Sequence, residues 1–267
     1  TTRMLLQIRK FCMQSKIDRE RIISMGAIPK RVVITGNTKY DQTYAEVSEE
    51  ERAKLRREFR FEGKGPIIVA GSTHGGEEEI VVRTFGKVLE KYPDARLLLA
   101  VREITRAASV RFMIKHQGYT VLRRSKMGTD EDDGKGAQIV ILDTIGELGR
   151  LYSLADVVFV GGSFVKVGGH NILEPAAHGK PVLVGPYMFN FQEIFELLSQ
   201  RGVCIMTPDE TSFETTLLDL LGNPEKMKKM GEAALEVVHE NQGATERNIA
   251  SFEELVKEYG IKLRENA

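Results

Sequence analysis

Residues 161–186, GGSFVKVGGHNILEPAAHGKPVLVGP, concentrate the groups able to do chemistry. His170 can carry a proton, bind phosphate or ligate a metal. Glu174 can accept hydrogen bonds from a sugar diol. Gly161, Gly162, Gly168 and Gly169 tolerate positive φ, so the backbone can come close to a ligand. Asn171 with Glu174 three residues on is a capping-box pattern, and the free amides of a helix start attract an anion. No second His or Cys stands at ligand spacing, so no metal is expected.

Three weaker groups accompany this one. Gly71, Ser72, Thr73 and His74 end one apolar run and precede a helical pattern. They can offer amides and hydroxyls to an anion, or serve as an ordinary helix cap. The spacing fits neither a Walker A loop nor a dinucleotide fingerprint. Arg102 and Arg106 follow a second run, where a guanidinium suits a phosphate or carboxylate. An exposed Arg there can equally be a solvated side chain. Thr144 and Glu147 form another capping-box pattern, and the 144–148 backbone is either a nucleobase contact or a plain helix start.

The elements that must position these groups alternate. Strands are predicted at 66–73, 95–101, 119–125, 138–144, 157–163 and 181–186. Helices are predicted at 75–92, 105–117, 146–154 and 171–178. The first of these helices turns Ile80, Val81, Phe85, Val88 and Leu89 to one face, with Glu77, Glu78 and Glu79 suiting its dipole. Near-continuous apolar strands imply a sheet covered on both faces. The predicted fold class is α/β, a doubly wound parallel Rossmann-like sheet. Residues 3–26 read as helical, 31–41 as a strand, 48–58 as a short helix, and the chain from 210 onward as mostly helical. The acidic loop at 127–138 reads as a solvated tip.

Composition narrows the function. With 38 basic and 38 acidic side chains the net charge is zero, so no nucleic-acid partner is expected. Cys12 and Cys204 lie far apart in apolar contexts and are expected to be free, buried thiols. No apolar run reaches the roughly 18 to 20 residues of a membrane-spanning helix.

GSTHGGEEE, DTIGELGRLYSLADVVFVGGS, GGHNILEPAAHGKPVLVGPYMFNFQEI and NQGA occur in this order. Together they resemble the 3-deoxy-D-manno-octulosonic acid (Kdo) transferases, and CMQSKIDRERIISMGAIPKRVVITGNTKYD resembles the end of that family's acceptor domain. The resemblance implies one half of a GT-B glycosyltransferase, transferring Kdo from CMP-Kdo to a lipid A precursor in lipopolysaccharide synthesis, with no metal or other cofactor. Carried onto this sequence, Ser72 and Thr73 contact the donor and Arg102 pairs with its phosphate or carboxylate. Thr144, Ile145, Gly146, Glu147 and Leu148 line the cytidine pocket. Ser163, Gly169, His170, Asn171 and Glu174 surround phosphate, sugar and ribose. VREITR at 101–106 departs from the family's P-R-H-P-E-R-like block, although Arg102 and Arg106 stay in register.

The implied organisation is the end of an acceptor domain at 1–45, a linker at 46–64, a donor-binding domain at 65–243, and a C-terminal helix at 244–267 packing back toward the junction. A catalytic base is expected in a preceding acceptor domain, which would make the chain inactive alone. The complete enzyme is expected at the cytoplasmic face of the bacterial inner membrane, with this chain itself soluble. Two rivals stand beside this reading: another GT-B nucleotide-sugar enzyme, such as a UDP-sugar transferase or epimerase, and a non-catalytic nucleotide-binding domain.

Overall fold

A computed structural model describes residues 2–42, 46–61, 63–130, 132 and 135–260. Its contacts divide the chain into one unit of residues 1–43 with 238–267, and another of residues 44–237. In the first, a short α1 (Thr2–Leu5) precedes β1 (Phe11–Met13), α2 (Lys16–Ser24) and β2 (Val32–Ile34). The stretch 3–26, expected to be helical, is thus broken by a strand. β1 pairs in parallel with β2, and Phe11 and Val32 pack with Leu5 and Ala27 in a small core. Cys12, between the inward residues of β1, is exposed rather than buried, whereas Cys204 is buried as expected.

The second unit runs α3 (Glu49–Glu58), β3 (Ile67–Thr73), α4 (Glu77–Lys91), β4 (Arg96–Val101), α5 (Ala107–His116), β5 (Val121–Arg123) and β6 (Ile139–Leu142). There follow α6 (Leu148–Leu151), β7 (Val157–Val160), α7 (Leu173–Ala177), β8 (Val182–Val184), α8 (Gln192–Gln200), β9 (Cys204–Met206), α9 (Glu210–Leu221) and α10 (Pro224–Glu240). α11 (Ala244–Glu258) returns to the first unit. There the Asp41 carboxylate accepts from the Gly243 and Thr245 amides, and Arg247 donates to the Thr35 carbonyl.

Seven parallel strands form one sheet in the order β5-β6-β4-β3-β7-β8-β9. β9 is the seventh strand, absent from the expectation. Successive side chains of a strand point to opposite faces. Ile68, Ala70, Leu97, Leu99, Ile139, Ile141, Val157 and Phe159 share a core with Val81, Phe85 and Val88 of α4 and Phe213 and Leu217 of α9. Ile67, Val69, Leu98, Val140, Val158 and Val182 are also buried, as a doubly covered sheet requires. Successive strands are added on one side of β3 as far as β6 and on its other side from β7 onward, so the strand order reverses between β3 and β7. The crevice outside the carboxyl ends of those two strands is the position where open α/β sheets take ligands.

Candidate functional site

The turns after β3 and β7 meet at this crevice. Ser72, next to last in β3, takes φ +54°, an uncommon left-handed conformation for a residue with a side chain. His74 follows, and its Nε2 lies 2.8 Å from Nε2 of His170, which comes from the turn after β7. The rings are parallel within 2° with centroids 5.1 Å apart, which with that contact places them edge to edge. One nitrogen must donate and the other accept, so the contact requires at least one neutral imidazole. Burial, then His74 and Arg102, hold the His170 pKa down at about 4. The sequence left His74 unassigned, and its nearness to His170 comes entirely from the pairing of β3 with β7.

Beside the imidazoles, Ser72, Arg102, Thr144, Ile145, Gly146 and Leu148 line one pocket of 150 Å³. It lies over the carboxyl ends of β3, β4 and β6. The Arg102 side chain is exposed and has no hydrogen-bond or ion-pair partner among the described residues, while its amide donates to the Thr73 carbonyl. Ile145 is 87% exposed, an open apolar side chain at the mouth. Gly146 takes φ +87° there. The Glu147 carboxylate is engaged by the protein itself. Burial opposes its charge, but Arg124, Thr144 and Arg150 outweigh this and lower its pKa to about 2. Thr144 donates to the Glu147 carboxylate side chain to side chain, so the expected backbone capping box is not made.

Across the crevice, Asn171 Oδ1 accepts from the Leu173 amide and Asn171 Nδ2 donates to Glu174 at 3.2 Å. This side-chain ladder replaces the expected capping box, because α7 begins two residues after Asn171 and is only five residues long. Burial raises the Glu174 pKa, and the bond from Asn171 offsets this in part.

Several expected contacts are corrected by the geometry. Thr73 is fully buried, its hydroxyl 3.4 Å from the Ala100 carbonyl, at an irregularity where the left-handed Ser72 interrupts the β3–β4 register. Ser163 is also fully buried. Its hydroxyl donates to the Val160 carbonyl and accepts from the Gly185 amide, pinning β7 to the turn after β8. Gly169 takes φ +78°, but its amide donates to the Gly162 carbonyl and a Cβ would fall 2.3 Å from Met188 Sδ. Packing, rather than a ligand, explains that glycine. Arg106 is consumed by the buried Glu78 at 2.7 Å, leaving Arg102 as the available guanidinium of the pair. The amides of Gly162, Ser163 and Phe164 are not open to an anion, since the buried Glu77 carboxylate accepts from all three. In the 127–138 loop, Asp132 forms a bidentate pair with Arg60 and is nearly buried, rather than solvated.

A family model described as 3-Deoxy-D-manno-octulosonic-acid transferase (kdotransferase) matches residues 1–42, and one described as Glycosyl transferases group 1 matches residues 129–237. A Haemophilus influenzae 3-deoxy-D-manno-octulosonic acid transferase is 36% identical over 91% of this chain and 56% of its own length. The Aquifex aeolicus enzyme of the same name is 31% identical over 81% of this chain and 55% of its own. The chain therefore spans about half the length of the curated relatives it matches. Among solved structures, the C-terminal CMP-Kdo binding domain of WaaA from Acinetobacter baumannii superposes with a TM-score of 0.63 at 27% identity, covering 71% of this chain and 96% of that one. An S. aureus MnaA–UDP co-structure gives 0.65 at 14% identity, covering 98% and 64%, a likeness of fold alone. With the sheet, the glycine-rich turn and the ordered motifs, these matches make the chain similar, over most of its length, to the 3-deoxy-D-manno-octulosonic acid transferases.

Proposed function

We propose that this chain binds the donor for a glycosyltransferase that moves Kdo from CMP-Kdo to a lipid A precursor in lipopolysaccharide synthesis. One observation carries the reading: Ser72, Arg102 and the 144–148 turn share a pocket beside the reversal between β3 and β7. In this reading the 144–148 main chain and the open Ile145 side chain take the cytosine. Arg102 meets the phosphate or the Kdo carboxylate. His170 and Asn171 border phosphate and sugar, and Glu174 accepts from the ribose diol.

As the bond from the sugar to the phosphate breaks, CMP gains negative charge, and a cation fixed beside it lowers the barrier. The donor brings its own leaving group, so no metal or organic cofactor enters the reading. We assign no general base within this chain and place it in the acceptor-binding part of the complete enzyme. The acyl chains of a lipid A precursor put that enzyme at the cytoplasmic face of the inner membrane. No helix among the described residues is long and apolar enough to cross a membrane.

Calorimetric titration tests the donor reading. CMP is expected to bind more tightly than UMP. Arg102→Ala should weaken CMP about fivefold by removing one charge-assisted contact at an exposed position. No heat with CMP, or tighter binding of UDP than of CMP, would sink the reading, the latter in favour of a UDP-sugar enzyme.

A further inference from the structure

The Glu77 carboxylate is held at the crevice by four main-chain amides. Its Oε2 accepts from the His74 amide at 2.9 Å and the Gly162 amide at 2.7 Å. Its Oε1 accepts from the Ser163 amide at 3.0 Å and the Phe164 amide at 2.9 Å. The residue has no exposed surface. A carboxylate so enclosed is tolerable only with its lone pairs satisfied, and four main-chain donors satisfy them. Three consecutive amides converging on one anion form the kind of nest that binds phosphate in other α/β proteins. Here the protein fills the nest with its own side chain.

Two consequences follow for the geometry of the crevice. The first is mechanical. Glu77 is the first residue of α4, so its bonds clamp the turn after β7 to the turn after β3. Those two turns carry His170 and His74, whose 2.8 Å contact depends on their spacing. The second is electrostatic. A negative ligand is kept out of the Gly162–Phe164 amides and directed to the side of the crevice where Arg102 and His170 stand.

We propose that Glu77 is a positioning residue of the donor site: an internal anion that occupies the amide nest after β7 and sets where the donor phosphate binds. The proposal rests on the CMP-donor reading above. It predicts behaviour that a residue serving only the hydrophobic packing of α4 would not show. Removing the carboxylate leaves a cavity lined by four N–H groups, and a small carboxylate from solution can refill it.

The test is CMP titration of the 267-residue chain as wild type, Glu77→Gly and Glu77→Gln. Glu77→Gly should bind CMP at least about tenfold more weakly, on the scale of hydrogen bonds to a charged acceptor. Sodium formate should restore most of that loss, while sodium chloride and formamide should not. Glu77→Gln, which presents N–H groups to amides that need an acceptor, should lose a similar factor without rescue by formate, its cavity being filled. Wild-type binding should be indifferent to formate. A folded Glu77→Gly variant that formate does not rescue overturns the proposal, as does a Glu77→Gln variant that binds CMP like wild type. Should Glu77→Gly fail to fold, Glu77→Gln decides alone. If that variant also fails to fold, Glu77 is a folding element and the proposal falls. Failure of the wild-type chain to bind CMP would instead sink the donor reading beneath it.

Discussion

Gly161→Ala is expected to destabilise residues 44–237 by about 3 kcal/mol, the upper part of the usual overpacking range, and to abolish CMP binding. A Cβ at Gly161 would lie 2.5 Å from the Ser72 carbonyl oxygen and 2.7 Å from Thr73 Cα. Both atoms belong to the main chain at the end of β3 and cannot rotate away. The next nearest atom, Glu77 Oε2 at 2.9 Å, is held by its amide donors. Relief therefore requires β3 and β7 to part where the Gly161 amide donates to the Gly71 carbonyl at 2.8 Å. The same movement separates the two turns that carry the site. Gly76→Ala is the natural control. Its φ is +92°, but nothing lies within 4 Å of the added carbon. It should cost only the left-handed backbone penalty, about 1 kcal/mol, and leave CMP binding nearly intact. Urea unfolding of both variants, followed by CMP titration, separates contact from conformation. A loss at Gly161 no larger than at Gly76 would contradict the packing described here.

The strands were readable where both faces of the sheet are buried. β3, β4, β6 and β7 are apolar at nearly every position, so their identity does not depend on register. β9 is only three residues long and ends on the exposed Met206, so its apolar run lacks the cover on both faces that marks the others. Residues 3–26 misled because β1, three residues between two helices, is too short to interrupt a helical reading. In the site, glycine and charge placed the loops but not the side chains within them. Ser72 and Thr73 look equivalent as letters, yet an irregular strand end sends one to the pocket and the other into the core. Arg102 and Arg106 likewise look interchangeable. Only the buried Glu78 shows which of them is already paired. Glu77, Glu78 and Glu79 read as three carboxylates suiting a helix dipole. Strand order sends Glu77 to an amide nest and Glu78 to an arginine, whereas Glu79 bonds the Gly76 amide as a local helix cap.

Acidification should weaken this fold in a window set by His170. Burial, the neighbouring His74 and the Arg102 charge lower its pKa from 6.5 to about 4. The unfolded chain therefore takes up a proton at this side chain as pH falls through 6.5, while the folded chain resists until about 4. Over that interval the unfolded state holds more protons, so stability rises with pH and is lost on going down. The ring is only half-buried, and after discounting for solvent screening the loss at pH 5 is about 1 kcal/mol. Glu147, Asp143 and Asp41 have lowered carboxyl pKa values and lose their contribution below about 4.5, outside most of this window. His178, lowered by burial despite its bond to the Gly149 carbonyl, acts within the window and must be separated. Urea unfolding at pH 7 and pH 5 for wild type and His170→Gln makes that separation, since only the His170 part vanishes in the variant. CMP then supplies the decisive comparison. A phosphate set beside Arg102 and His170 favours the charged imidazole, so binding should draw in a proton. Calorimetry in two buffers of different ionisation enthalpy should show uptake of a fraction of a proton near pH 6 in wild type, and less in His170→Gln. Equal uptake in the two proteins would place the phosphate away from the imidazole pair.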